Sequence, residues 1–208
     1  MGKRTVVLSI SAVTLVLSLC VGVFSVLQIL SSTWMTERAL QQWEKKQTHA
    51  QFSGSDIIQE QKTQGSTARP RIVFPEGEVI GKIVIPTLHQ EMPIVEGTSM
   101  GDLAKGVGHF KESVMPGARG NAVLAGHRDG VFRQLGEVGI GDEVSVQTLD
   151  GTYVYKVKSR RIVEEDDRSL TLRENDSVLT LITCYPFSYV GPAPKRLILS
   201  ASLSTKKE

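Results

Sequence analysis

Three side chains of the sequence have the types that nucleophilic catalysis requires, and each stands where a predicted strand meets a turn. Cys184 closes the apolar run "VLTLITC", His127 follows "NAVLAG", and Arg196 opens "RLILSASL". A thiol attacks a carbonyl as its thiolate, which a nearby imidazole or guanidinium stabilises. The three residues are therefore candidates for one cysteine-dependent site, provided that the fold brings them together.

Each candidate also has an ordinary structural explanation. A single cysteine in a strand, such as Cys184, is more often an inert core residue than a nucleophile. Taken alone, His127 is more often a structural residue at a strand end, and Arg196 is more often a surface charge. The remaining histidines of the chain are His49, His89 and His109. The residues by themselves thus leave both a reactive thiol and a merely packed one open.

The elements that must position these residues are predicted to be strands. Beyond residue 75, apolar or alternating runs are divided by Gly, Pro and Asp, which predicts an all-β sandwich or barrel. In "TYVYKVK" the alternation places Tyr153, Tyr155 and Val157 on one face of a half-exposed strand. The Asp-Gly pair of "LDGT" predicts a hairpin just before it. Helical signals are brief, around "TSMGDLAKG" and "GVFRQLGEV".

The first part of the chain predicts a transmembrane anchor. Residues 5–30 carry no charge and exceed the roughly 20 residues that a membrane-spanning helix needs. A cleaved signal peptide has a shorter apolar core and a small-x-small cleavage site, so a retained helix is favoured. Lys3 and Arg4 favour a cytoplasmic tail over residues 1–4, against basic residues that follow the span. We expect the rest of the chain on the extracellular side of the cell membrane.

A polar segment separates the anchor from the strands. Residues 31–74 are rich in Gln, Ser, Thr and Lys, which predicts an extracytoplasmic stalk or linker. Its beginning is expected to continue the anchor helix, with Trp34 and Trp43 near the membrane interface. The catalytic domain is then predicted over residues 75–208, and it should fold without the segments that precede it.

Composition excludes several classes of function. The net charge of +2 is spread over interleaved acidic and basic residues in a chain of 208, without the basic stripe that nucleic acid requires. The two cysteines are Cys20, inside the predicted anchor, and Cys184, so a disulfide between them is not expected. Zinc-ligand spacing and redox pairs are missing from the sequence. We predict no metal and no cofactor.

Three separated motifs resemble those of the sortases, membrane-anchored cysteine transpeptidases of Gram-positive bacteria. They are "TLITC", "GHRDGVF" and the arginine of "APKRLIL", and they occur in the order found in that family. The similarity continues through "MPIVEG", "KGVGHF" and "PGARGNAVLAGH". The form "TCYPFSYVGPAPKR" is most similar to the class D sortases of bacilli and clostridia.

The resemblance implies a fold and a reaction. The fold is a closed sortase-type β-barrel of about eight strands with short helices. Cys184 matches the nucleophile, His127 the general acid/base, and Arg196 the residue that binds substrate or the oxyanion. The implied substrate is a surface protein with a C-terminal LPxT-type sorting signal, and the implied acceptor is an amine of a lipid-linked peptidoglycan precursor. Thr183 either lines the substrate groove or is structural.

Two other classes of function stay open. A membrane-tethered cysteine protease would resolve the acyl-enzyme with water, although the papain-like pattern "CGSCW" is missing. For a sortase, the same hydrolysis is a side reaction. A non-catalytic scaffold domain would keep Cys184 packed, and alkylation of the folded protein distinguishes that case.

Overall fold

A computed structural model gives the fold of residues 3–52, 74–167, 176–189 and 191–207, with side chains of the N-terminal helix described at 13–25 and 34–49. Helix α1 runs from Lys3–Phe52, and the short helix α2 covers Met100–Leu103. The strands are β1 Val79–Ile85, β2 Gln90–Glu96, β3 Val107–His109, β4 Gly120–Ala125, β5 Glu143–Thr148, β6 Gly151–Glu164, β7 Ser177–Tyr185 and β8 Lys195–Lys207. Short 3₁₀ helices occupy Pro86–Leu88 and Leu135–Glu137.

The eight described strands close into one barrel in the order β1-β2-β3-β4-β7-β8-β6-β5. Most neighbours are antiparallel, but β2 with β3 and β4 with β7 are parallel. Closure leaves no edge strand that could pair with another chain. The predicted closed barrel of about eight strands with short helices is therefore confirmed.

The barrel core follows the period of two that the sequence shows. Tyr155 is fully buried and Tyr153 and Val157 nearly so, whereas Lys156 and Lys158 are exposed. The same alternation puts the leucines of β7 and β8 inside, where they pack with Ile83, Leu124 and Phe132. The predicted faces of β6 are thus confirmed, as is the hairpin, since Thr148 pairs with Gly151 across a tight turn.

One buried phenol ties a loop to this core. The Tyr155 hydroxyl accepts a hydrogen bond of 2.7 Å from the Gly117 amide, and burial raises the pKa of Tyr155 to about 12. Gly117 has a φ of +88°, and a Cβ there would lie 2.2 Å from the Tyr153 ring. Only glycine therefore lets the loop before β4 lie flat against the two tyrosines.

Strands β2 and β3 are the two that strand patterning does not identify. Pro93 interrupts β2, and a proline argues against an interior strand because it lacks the N–H that a ladder needs. β3 has only three residues and includes Gly108, whose Cβ would lie 2.4 Å from the Gly97 carbonyl oxygen. Both strands form because they pair with neighbouring strands. Local strand propensity does not predict such pairing.

Helix α1 packs against the barrel near its C-terminal end. Ala39 and Trp43 form a small buried cluster with Val79 of β1 and Val95 of β2. The Lys46 ammonium adds an ion pair with Glu78 and a hydrogen bond of 3.0 Å to the Val79 carbonyl. The expectation that Trp43 lies near a membrane interface is wrong, because its side chain is fully buried between helix and barrel. Trp34 stays 59% exposed.

The boundaries predicted around this helix stay untested. Residues 53–73 of the predicted stalk and residues 1–2 of the predicted tail lie outside the described residues. Within the part that is described, no helical stretch combines the length and the hydropathy of a membrane span. The anchor over residues 5–30 and the domain start at residue 75 stay predictions.

Docking of α1 predicts a measurable difference between two shortened chains. A chain of residues 34–208 should be about 2 kcal/mol more stable to urea than one of residues 75–208. Burial of a Trp side chain contributes about 3–5 kcal/mol, less about 1–3 kcal/mol because the Trp43 indole N–H is buried without an acceptor. Trp43→Ala in the longer chain should reproduce most of the loss, and Trp34→Ala should not. Equal stability of the two chains would contradict the docking.

Candidate active site

Cys184 lies near the end of β7, on the outer surface of the barrel. Leu179 and Leu181 of β7 belong to the core. Because side chains alternate along a strand, Cys184 points to the opposite, outer face. Its thiol is only partly covered and is a free cysteine. The residue is thus placed as an accessible thiol and not as a packed core residue.

Arg196 stands directly opposite Cys184. The two residues pair in the antiparallel register of β7 and β8, so their side chains share the outer face. The Arg196 guanidinium donates hydrogen bonds of 2.8 and 2.9 Å to the carbonyls of Ala193 and Lys195. It also meets the Glu165 carboxylate at 3.2 Å. Arg196 thus carries a permanent charge on the same outer face as the thiol, with its guanidinium held by these three groups.

His127 reaches the other side of Cys184 through the parallel pairing of β4 with β7. Ala125 pairs with Ile182, and the Gly126 amide continues the ladder with a hydrogen bond of 3.1 Å to the Ile182 carbonyl. β4 ends at Ala125, so His127 lies just past the strand, in the turn at the rim where β7 carries Cys184. Cys184 therefore lies opposite Arg196 of β8 and at the same rim of the barrel as His127.

Thr183 links the end of β7 to the turn after β4 from the interior side of the barrel. Its side chain is buried, 2% exposed, and its hydroxyl donates a hydrogen bond of 2.8 Å to the Gly126 carbonyl. The residue next to the candidate nucleophile thus holds the residue next to the candidate base. Of the two roles predicted for Thr183, the structure supports the structural one, because the side chain faces the barrel interior.

The turn that carries His127 needs a glycine before it. A Cβ on Gly126 would lie 2.5 Å from the Phe132 ring and 2.9 Å from Val131. Phe132 is fully buried, and its amide donates to the His127 carbonyl at 3.0 Å. The chain therefore turns tightly over the core at Gly126, which leaves the His127 side chain partly exposed at the barrel rim.

His109, the other histidine of the barrel, belongs to a separate buried cluster. Its Nδ1 lies 2.8 Å from the Glu96 carboxylate, and its Nε2 lies 3.0 Å from the Val114 carbonyl and 3.1 Å from the Ser113 hydroxyl. A carbonyl oxygen only accepts, so Nε2 carries a proton and cannot take one from Ser113. The Ser113 hydroxyl itself donates to the Phe110 carbonyl at 2.6 Å. This resembles a catalytic triad in composition, but it is a buried structural network.

Sequence analysis misses two side chains at the site. Arg128 donates hydrogen bonds to the carbonyls of Pro186, Tyr189 and Gly191 in the loop between β7 and β8. Glu165, at the end of β6, pairs with Arg196. The arginine in "HRDG" gives no local signal of partners so distant in the chain. Across the described residues, no group of three or more His, Cys, Asp or Glu side chains is placed to hold a metal ion.

The fold and this surface define a class: a closed β-barrel with a partly exposed cysteine at a strand end, an arginine opposite it and a histidine at the same rim. The family model of the sortase domain matches residues 83–204. The chain therefore belongs to the sortase family, whose members are cysteine transpeptidases. The resemblance seen in the three motifs is confirmed.

Individual relatives agree with this membership. Sortase D of Bacillus subtilis (strain 168) is 48% identical over 124 residues, which cover 59% of this chain and 63% of that protein. Sortase A of Bacillus anthracis is 31% identical over 130 residues, covering 61% of this chain and 60% of the relative. The matches thus span less than two thirds of either relative.

Solved structures share the fold. A Clostridium perfringens Sortase D5 transpeptidase matches with a TM-score of 0.62 at 21% identity, covering 84% of this chain and 99% of that one. A Clostridium perfringens sortase C with the C-terminal cell wall sorting motif matches with a TM-score of 0.58 at 29% identity, covering 63% of this chain and 73% of that one.

The Thr183 hydrogen bond predicts different stabilities for two substitutions of this residue. Thr183→Val keeps the shape but leaves the Gly126 carbonyl without its side-chain donor, so stability to urea should fall by about 1–3 kcal/mol. Thr183→Ser keeps the hydroxyl and should stay close to the wild type. Urea unfolding of both variants is the measurement. A Thr183→Val protein as stable as the wild type would show that the bond does not hold the rim.

Proposed function

We propose that the protein is a sortase that cleaves an LPxT-type sorting signal after its threonine and joins the released carboxyl end to an amine. The observation that carries the proposal is the pairing that sets Arg196 opposite Cys184 and ends β4, two residues before His127, at the same rim. A partly exposed thiol at a rim that also carries an imidazole and a permanent cation suits acyl transfer.

In the first half of the reaction the Cys184 sulfur attacks the threonine carbonyl and forms a tetrahedral oxyanion. Arg196 stabilises this charge, which an arginine can do at any physiological pH. The peptide bond after threonine then breaks, His127 donates a proton to the leaving amine, and a thioester remains. The Arg196 contact with Glu165 does not prevent this, because Glu165 is exposed and such pairs contribute about 0–1 kcal/mol.

In the second half an amine attacks the thioester and His127 takes up its proton. The carbon–sulfur bond breaks, an amide forms, and Cys184 leaves as the thiolate that can attack the next substrate, while His127 again carries its proton. We propose an amine of a lipid-linked peptidoglycan precursor as acceptor, so that the product is a surface protein anchored to the cell wall. Water in place of the amine would give hydrolysis as a side reaction.

The outer face beside Cys184 supports a peptide substrate. Alternation along β4 and β8 points Val123 and Ile198 outward, next to Ile182 of β7, yet Val123 and Ile198 are 4% and 1% exposed. The side chains next to the thiol on this face are therefore apolar, which suits an apolar sorting signal, although little of their surface is exposed. The sortase C structure that contains a cell wall sorting motif supports the same class of partner.

We propose that residues 5–30 anchor this domain in the cell membrane, with the tail 1–4 in the cytoplasm and the barrel outside. Support comes from helix α1, whose large apolar side chains between Val13 and Phe24 are 52–68% exposed. Such a run on a helix surface favours lipid over water. An acceptor that is itself lipid-linked would then lie at the same membrane surface.

The three assigned roles predict three different failures. Cys184→Ala should abolish the thioester, because no other residue there can form it. His127→Ala should lower the rate by about 10²–10⁴-fold through loss of proton transfer. Arg196→Lys should lower it by about 10²–10³-fold, because an ammonium does not replace the planar donor fork. The measurement is cleavage of LPxT-type peptides with an added amine, with the enzyme adduct weighed by mass spectrometry.

Controls for this experiment come from the same barrel. Arg133→Lys changes an exposed arginine close to the His127 turn and should leave the rate unchanged. Full activity of Cys184→Ala would end the sortase proposal. Cleavage that ignores the amine would indicate a protease, and a Cys184 that resists alkylation in the folded protein would indicate a scaffold domain.

The proposed orientation predicts where protease can reach the chain. Protease added to intact cells stripped of their wall should digest the barrel, because the chain beyond the span is then outside. The check is immunoblotting against an epitope fused after Glu208, with a cytoplasmic protein as the control that must survive. Protection of the barrel until the cells are lysed would overturn this orientation.

A further inference from the structure

We infer that Arg128 is a positioning residue that fixes the loop between β7 and β8, and through it the Arg196 guanidinium, relative to His127. The inference rests on the proposed function, since it assigns a supporting role in the same site. It begins with the place of Arg128 in the chain, directly after the proposed acid/base.

The Arg128 guanidinium binds three carbonyls of that loop. Its Nη1 donates to the Pro186 carbonyl at 3.3 Å, and its Nη2 donates to the carbonyls of Tyr189 at 2.8 Å and Gly191 at 2.6 Å. Its carbon centre also lies 5.9 Å from the centroid of the Tyr189 ring. A planar fork can serve carbonyls spread over several residues, which a single ammonium cannot.

The loop held in this way joins Cys184 to Arg196. Its far end carries the Ala193 carbonyl, which binds the Arg196 guanidinium together with the Lys195 carbonyl at the start of β8 and the Glu165 carboxylate. A chain of contacts therefore runs from Arg128 through the loop carbonyls to Arg196. Its other end is covalent, since Arg128 follows His127. One side chain thus sets the separation between the proposed proton carrier and the proposed oxyanion ligand.

Strand pairing alone does not supply this restraint. The register of β7 with β8 fixes the backbone of Arg196 beside Cys184, but the guanidinium lies at the end of a long, flexible stem. Its direction depends on the groups that it binds, and one of them, the Ala193 carbonyl, belongs to the loop. Loss of Arg128 should therefore leave the barrel folded, but the Arg196 guanidinium should no longer be held in one orientation.

The experiment compares Arg128→Met and Arg128→Lys with Arg133→Met in the full-length chain in detergent. Arg133 is the matched control because it is exposed in the same turn segment, where its amide contacts the Gly130 carbonyl. Amide hydrogen exchange of residues 187–193 reports the loop without any need for activity. The kcat and KM for an LPxT-type peptide with an added amine report the site.

Arg128→Met should exchange faster in the loop and lose about 10²-fold in kcat, the usual effect of a misplacement of about 1 Å. KM should change little, because Arg128 binds carbonyls of its own chain and has no assigned contact with the peptide. Arg128→Lys should fall between wild type and Arg128→Met, and Arg133→Met should match the wild type.

Three results would overturn the inference. They are unchanged loop exchange in Arg128→Met, faster exchange with an unchanged kcat, and a lower melting temperature with kcat per folded molecule unchanged. A wild-type protein without turnover would contradict the proposed function instead, and the exchange result would then still decide whether Arg128 holds the loop.

Discussion

The register of β7 between its two neighbours is the constraint on which the site depends. β7 pairs in parallel with β4 and antiparallel with β8, so residues from three distant parts of the chain come level at one rim. A slip of one residue would turn Cys184 into the barrel and Thr183 out of it. The leucines that alternate with these positions are fully buried, and they make such a slip costly. The packing of the core therefore sets the geometry of the surface.

Beyond the strands, cationic and polar side chains hold main-chain carbonyls in place. Arg128 and Arg196 bind carbonyls between Pro186 and Lys195, and Thr183 binds that of Gly126. Next to β4, His109 of β3 and the nearby Ser113 do the same for Val114 and Phe110. Buried or crowded carbonyls need donors, and loops lack the ladders that supply them. Loop geometry in this protein is thus determined by side chains.

Sequence patterns predict what depends on local periodicity and miss what depends on distant partners. The alternation in β6 was sufficient to predict that strand and its faces, and the Asp-Gly pair was sufficient to predict the hairpin before it. The three motifs were sufficient to predict the family. β2 was not predicted because it contains Pro93, and the local sequence does not show that this proline pairs with Lys82 of β1. Trp43 was assigned to the membrane interface because an indole, with its apolar ring and single N–H, suits a membrane interface as well as a packed contact within a protein. The partners of Arg128 lie too far along the chain for any local pattern to indicate.

The docking of Trp43 on β1 and β2 limits how the barrel can move. If residues 5–30 span the membrane, the docked turn stands about 20 Å along the helix from the end of that span, at 1.5 Å per residue. A barrel clamped to a rigid rod cannot tumble freely, as one on a loose tether would. Its catalytic rim would then sweep a narrow arc at nearly constant height over the lipid. Substrates held in the same membrane would meet the rim by sliding in two dimensions.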